Sequence, residues 1–137
     1  MILFKSETHF TLQKKRLRKE WITTIIQQEK KRVGEINYIF CDDAYLLNIN
    51  KQYLNHDTYT DIITFDYSEE GLLSGDIFIS IDRVKENAQL FLVDFHNELL
   101  RVLAHGVLHL CGYKDKTKKE ELLMRQKEDA AIALFQK

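Results

Sequence analysis

The stretch His105-Gly106-Val107-Leu108-His109-Leu110-Cys111-Gly112-Tyr113-Lys114-Asp115 decides how the rest of this 137-residue chain is read. Wound at 3.6 residues per turn, residues 94–111 are apolar in almost every direction, which predicts a largely buried helix. Its polar residues Asp94, Glu98, Arg101, His105 and His109 follow one another at spacings of four, three, four and four. At about 100° per residue they fall within an arc of roughly 80°, a single polar seam.

His105 and His109 stand one turn apart on that seam, the spacing at which two imidazoles of one helix reach one cation. Gly112 supplies the left-handed residue that commonly closes a helix, and Tyr113 and Lys114 lead the chain back to the carboxylate of Asp115. Two neutral imidazoles and a carboxylate make a three-ligand set for Zn²⁺ with a fourth position left for water, the catalytic rather than the structural arrangement. A bare HxxxH pair also occurs as hydrogen-bonded core histidines. The glycine and the acid at fixed offsets, on an otherwise apolar helix, favour the metal.

HGVLHLCGYKD resembles the HGxLHLxGYDH signature of the YbeY family, metal-dependent endoribonucleases of bacterial ribosomal RNA maturation. Thr60-Asp61-Ile62-Ile63-Thr64-Phe65 is similar to that family's TDVLSF strand, and Gly75-Asp76-Ile77-Phe78-Ile79-Ser80 to its GDIxIS strand. Glu98 stands seven residues before the first histidine, as in the family, so the resemblance spans residues 53–115. Two positions depart from the pattern. Asp115 replaces the usual third histidine; a carboxylate still ligates zinc, but its charge makes a bound water less acidic than a third imidazole would. Leu54 follows Tyr53 where the family commonly has arginine, so a phosphate clamp there is vacant or has moved to His56 or a lysine.

Outward from the metal stretch, the chain reads as one α+β domain over 1–137, a small, mostly four-stranded mixed sheet packed with about five helices, one of them a zincin-like metal helix. Ile2-Leu3-Phe4 and Ile36-Asn37-Tyr38-Ile39-Phe40 are expected strands; Thr60 to Tyr67 and Leu72 to Ser80 are two more, joined as an antiparallel hairpin through Ser68-Glu69-Glu70-Gly71. A helix is expected from Thr11 to Val33, with Leu12, Leu17, Trp21, Ile22, Ile25 and Ile26 inward, Arg18 among its solvated cations and Gly34 as its end. Asp42 or Asp43 starts another through Leu54, with Leu46, Leu47, Ile49 and Tyr53 inward. Ser80 or Asp82 starts a third, with Val84, Ala88 and Phe91 at helical spacing, and Asp94 caps the metal helix. A last helix runs from Glu120 to Phe135, with Leu122, Leu123, Ile132 and Phe135 inward.

The remaining side chains admit two uses each. Glu98, about 10.5 Å along the axis from His105, is too far to share its ion, so an ion pair with Arg101 is expected. By resemblance Asp61 and Asp76 belong to the strands that border the metal cleft, and they are expected to position backbone or substrate rather than ligate metal. His56 is an exposed loop histidine or a phosphate contact, and Lys114 and Lys116, with Lys118 and Lys119, are solvated or hold phosphates. Cys111 lies roughly 120° around the helix from the seam, a core residue rather than a fourth ligand.

Bulk composition narrows the function classes. Two cysteines without a CxxC pair indicate no disulfide framework, and a net charge of -1 leaves any RNA contact to local patches. The apolar runs fall short of a bilayer span, the start lacks a signal-peptide layout, and there is no Gly-rich phosphate loop; a cytoplasmic protein without membrane or dinucleotide cofactor is expected. An open His2Asp metal lowers the pKa of its bound water toward about 7, so His105 and His109 are catalytic through that water. HxxxHxxGxxD is also the spacing of metzincin-type zinc peptidases, but those carry a glutamate base directly after the first histidine, where this chain has Gly106.

The expectation is therefore a single-strand-specific endoribonuclease with one Zn²⁺, or a similar divalent ion, per chain, held by His105, His109 and Asp115. A metzincin-like metallopeptidase or a non-catalytic ribosome-binding module is the alternative. The family resemblance implies late maturation of the 3′ end of the small-subunit (16S) ribosomal RNA and ribosome quality control, with ribosomal RNA and the small ribosomal subunit as partners.

Overall fold

The computed structural model describes residues 1–135. In chain order the elements are β1 (Ile2–Ser6), α1 (Lys15–Gln28), β2 (Arg32–Cys41), α2 (Asp43–Leu54), β3 (Ile62–Asp66), β4 (Leu72–Ser80), α3 (Ile81–Leu90), α4 (Phe95–Leu110) and α5 (Lys118–Phe135). The strands form one sheet in the order β1-β2-β4-β3, with β1, β2 and β4 parallel and β3 antiparallel to β4. This is the expected α+β architecture of a four-stranded mixed sheet and five helices.

Alternation along the central strands divides the molecule into two layers. Ile36, Tyr38 and Phe40 of β2, with Ile77 and Ile79 of β4, join the main core with α4 and apolar residues of α1 and α5. The opposite face of the sheet carries a smaller cluster, Cys41, Leu46, Ile49 and Ile63, under α2. α4 is the axle of the main core: Leu100, Leu103, Ala104, Val107 and Leu108 are all buried, and Tyr38 Oη donates to the Leu103 carbonyl at 2.8 Å. Its N-terminus is capped as expected, with Asp94 accepting from the Asn97 amide at 2.7 Å.

Several expectations need correction. α1 stops at Gln28, because Lys30 takes the left-handed conformation at φ 59° and turns the chain into β2. Gly34 lies inside β2 at a register shift, where a Cβ would stand 2.4 Å from Ser74 Oγ. Arg18 is buried and Leu17 exposed, since the guanidinium Nε donates to the Gln13 carbonyl at 2.8 Å and its central carbon lies over the Phe135 ring, 5.2 Å from the centroid. In α2, Tyr53 is exposed and Asn50 is buried instead, its Nδ2 donating to the Thr58 carbonyl at 2.8 Å. Phe91, Leu122 and Leu123 are exposed, and Met124 and Ala131 fill the places inside α5. α5 begins at Lys118 because Thr117 and Glu120 form a reciprocal capping box: the Glu120 amide donates to Thr117 Oγ1 at 3.1 Å and the Thr117 amide to Glu120 Oε1 at 3.0 Å.

Candidate metal centre

Helix periodicity puts His105 and His109 on one side of α4, and the turn after it returns a carboxylate to them. Gly112 adopts φ 109°, closed by bonds from the Gly112 amide to the His109 carbonyl (3.0 Å) and from the Tyr113 amide to the Leu108 carbonyl (3.1 Å). Tyr113 Oη then donates to Glu29 Oε1 at 2.6 Å, anchoring the turn to the end of α1. With the α5 capping box two residues further on, Asp115 is held between two fixed helix ends.

Asp115 Oδ2 lies 3.1 Å from His105 Nε2 and 3.3 Å from His109 Nε2. One ligand atom from each of the three residues lies within 4.8 Å of the others, the only such group among the described residues. Bonds of about 2.0–2.1 Å in a tetrahedron give ligand-to-ligand edges of roughly 3.4 Å. The observed edges to the carboxylate match that spacing, so the donor set fits a divalent cation. The imidazoles are also presented correctly. His109 Nδ1 lies 2.9 Å from the Tyr113 carbonyl and His105 Nδ1 2.6 Å from Glu128 Oε2, which leaves each Nε2 turned toward Asp115.

The three residues line an open cleft of about 1000 Å³. One wall is the loop before β3, with His56, Tyr59 and Asp61; the other includes Arg101 of α4 with Arg125 and Glu128 of α5. Six acidic side chains line it against three basic ones, Arg101, Lys116 and Arg125. Burial raises the pKa of Asp61, an effect the neighbouring His105 partly offsets. Burial likewise raises Glu98, against the pull of Arg101. Burial alone would lower the His105 pKa, but its hydrogen bond to Glu128 and the charges of Glu128, Asp115 and Asp61 outweigh it and the net shift is upward.

The other anticipated residues fall in several places. His56 and Lys116 line the cleft, whereas Lys114 is exposed outside its lining. Asp61 borders the cleft, but Asp76 does not: it faces the α2 side of the sheet, accepts from Asn37 Nδ2 at 3.1 Å and lines a second groove of about 480 Å³. The expected Glu98–Arg101 ion pair is replaced by longer-range partners. Arg101 Nη1 donates to Glu128 Oε1 at 2.9 Å and Nη2 to Asp129 Oδ1 at 2.7 Å, leaving Glu98 4% exposed and without an ion pair among the described residues. Cys111 is half-buried against the main core, and burial pushes its thiol up to about 12. Leu54 also lines the cleft.

Two residues absent from the sequence reading belong to the site, Glu128 and Arg125. Nothing local marks either: both sit on α5, which is brought beside α4 only by the fold. Arg125 lines the same cleft as Leu54 and takes no ion pair among the described residues. Gly106, by contrast, carried a readable signal, and the structure gives its reason. A Cβ there would stand 2.8 Å from Ile77 Cγ2 and 3.1 Å from Ile62 Cδ1, so the position faces the sheet and not the cleft.

The family model described as Endoribonuclease YbeY matches residues 2–136. Curated relatives carrying that description include those of Flavobacterium johnsoniae, 56% identical over 98% of this chain and 97% of that one, and Flavobacterium psychrophilum, 57% identical over 98% and 96%. The relative from Karelsulcia muelleri is 49% identical over 100% of this chain and 97% of its own. Among solved structures, the solution structure of TM1509 from Thermotoga maritima superposes with a TM-score of 0.71 at 30% identity, covering 98% of this chain and 89% of that one.

Proposed function

This chain belongs to the endoribonuclease YbeY family, and from that premise we propose that it is a metal-dependent endoribonuclease in which His105, His109 and Asp115 hold one Zn²⁺ or a similar divalent ion. The observation that carries the reading is the convergence of three ligand atoms within 4.8 Å in a cleft open to substrate. An ion held there supplies a Lewis acid that polarises a phosphodiester oxygen and lowers the pKa of water. The whole chain, 1–137, is taken as one endoribonuclease domain, in keeping with a family match over residues 2–136.

What the chain's own residues contribute follows from the lining. With acids outnumbering bases two to one, the cleft does not attract a polyanion by its charge alone. Phosphate would be received at the cation and at the basic groups of the lining without an ion pair among the described residues, Arg125 and Lys116, with His56 in the same lining. Tyr59 and Phe91, 59% and 51% exposed, present aromatic surface along the same cleft. Unstacked bases lie against such rings, whereas a duplex keeps its bases stacked inside; this supports a preference for single-stranded RNA. Asp61, whose raised pKa makes its carboxyl easier to protonate, borders the site as a group able to hold a proton on its carboxylate oxygen.

The peptidase alternative lacks its base. Position 106 is a glycine packed against Ile62 and Ile77, so no side chain there supplies one. The family further supports ribosomal RNA as the substrate, specifically late processing of the 16S 3′ end and quality control of ribosomes, with the small ribosomal subunit as partner. No helix of the described residues is long and apolar enough to cross a membrane, which is compatible with work on ribosomes in the cytoplasm.

Metal content and cleavage of a single-stranded RNA, measured together, test the proposal. The native chain is expected to bind about one zinc per chain and to cut internally, and His105→Ala to lose both. Loss of zinc with undiminished cleavage would remove the metal from the mechanism.

A further inference from the structure

The two imidazoles are steadied by partners of different kinds. His109 Nδ1 donates to a neutral backbone carbonyl, that of Tyr113, inside the turn that closes its own helix. His105 Nδ1 meets a carboxylate instead, Glu128 Oε2 at 2.6 Å, contributed by α5 from 23 residues away. Glu128 is only 5% exposed, and its second oxygen accepts from Arg101 Nη1 at 2.9 Å. Arg101 is itself tied to Asp129 at 2.7 Å, so both the carboxylate and its support are fixed.

We propose that Glu128 is a positioning residue of the metal centre, which sets the tautomer and the donor strength of His105. The inference rests on the His2Asp reading above and adds to it a fourth essential side chain that touches neither metal nor substrate. In the neutral ring, an Nδ1 proton directed at Glu128 leaves the lone pair of His105 on Nε2, the atom 3.1 Å from Asp115 Oδ2. A carboxylate partner fixes the ring and also raises its basicity, whereas the carbonyl facing His109 does mainly the first. Binding at His105 therefore depends on α5 being docked, and binding at His109 does not.

The test uses the full chain with zinc alone as the probe, titrated in competition with a chromophoric chelator, and ¹⁵N NMR of histidine-labelled, metal-free protein to read the tautomers. Glu128→Ala is expected to weaken zinc binding about 10–100-fold and to mix the tautomers of His105 while leaving His109 unchanged. Glu128→Gln keeps an oxygen acceptor of the same shape; it should preserve the Nδ1–H tautomer and lose less affinity, about 3–10-fold, a partial rescue. Native zinc affinity in Glu128→Gln overturns the proposal, and this variant decides alone should the alanine variant not fold. Equal losses in both variants with the His105 tautomer unchanged would also overturn it, reducing Glu128 to a support of the fold. If His105→Ala keeps native zinc affinity, the His2Asp reading is what fails, a separate result from either of these.

Discussion

At the scale of single residues, the centre is defined by what Asp115 and Glu98 cost and supply. Asp115 stands where the family signature has histidine, yet its Oδ2 occupies the vertex of the ligand triangle. Asp115→His should therefore still bind zinc, as tightly or more so, while Asp115→Ala should weaken binding by at least about 100-fold, more than the loss of a supporting partner costs. Chelator competition on both variants reads this directly. Glu98 is a buried carboxyl whose pKa is raised, chiefly by burial. A raised carboxyl contributes stability that is fully present below its ordinary value of 4.5 and lost as pH rises through its folded value, so at pH 7 it is a liability. Glu98→Gln should raise the melting temperature at pH 7, with the gain shrinking as pH falls toward 4.5; a gain that grows in acid would contradict the assignment.

Elements impose the next set of constraints. α4 approaches the sheet closely enough at Gly106 that any Cβ collides with Ile77, whose branched side chain sits in the fully buried centre of β4. Alanine gains up to about 1 kcal/mol in helix propensity over glycine, but overpacking a core costs about 1–3 kcal/mol. Gly106→Ala is accordingly expected to be destabilising, by up to about 2 kcal/mol in urea unfolding, although it is a better helix former. α5 contributes Arg125 to the lining of the cleft that Leu54 also lines. If Arg125 takes over the phosphate contact vacated at position 54, Arg125→Ala should raise KM for single-stranded RNA about 3–10-fold with kcat nearly unchanged, and should flatten the salt dependence of binding. An unchanged KM would assign that contact to Lys116 or His56.

Across the whole molecule, the arrangement joins a rigid α4 to two flanks of the cleft that come from distant parts of the chain. Much of this was legible beforehand, and the legible parts share one property. The α4 helix, its Asp94 cap, the one-turn spacing of His105 and His109, the left-handed Gly112 and the β3–β4 hairpin all express periods and turn chemistry confined to a few consecutive residues. Arg101 is the nearest oppositely charged neighbour of Glu98 at helical spacing, but the fold gives Arg101 to Glu128 and Asp129. The Thr117–Glu120 capping box was equally local and marks the true start of α5. The sequence by itself determined the candidate ligand types, their order and the one-turn spacing of the two histidines along one helix, because backbone geometry converts spacing into direction without help from the rest of the chain. Which carboxylate backs His105, which cleft arginine stays outside the ion pairs of the described residues and which face of the sheet receives Asp76 were decided only by tertiary packing. Those contacts join residues dozens of positions apart, and burial energy that depends on the assembled core selects them rather than any local preference.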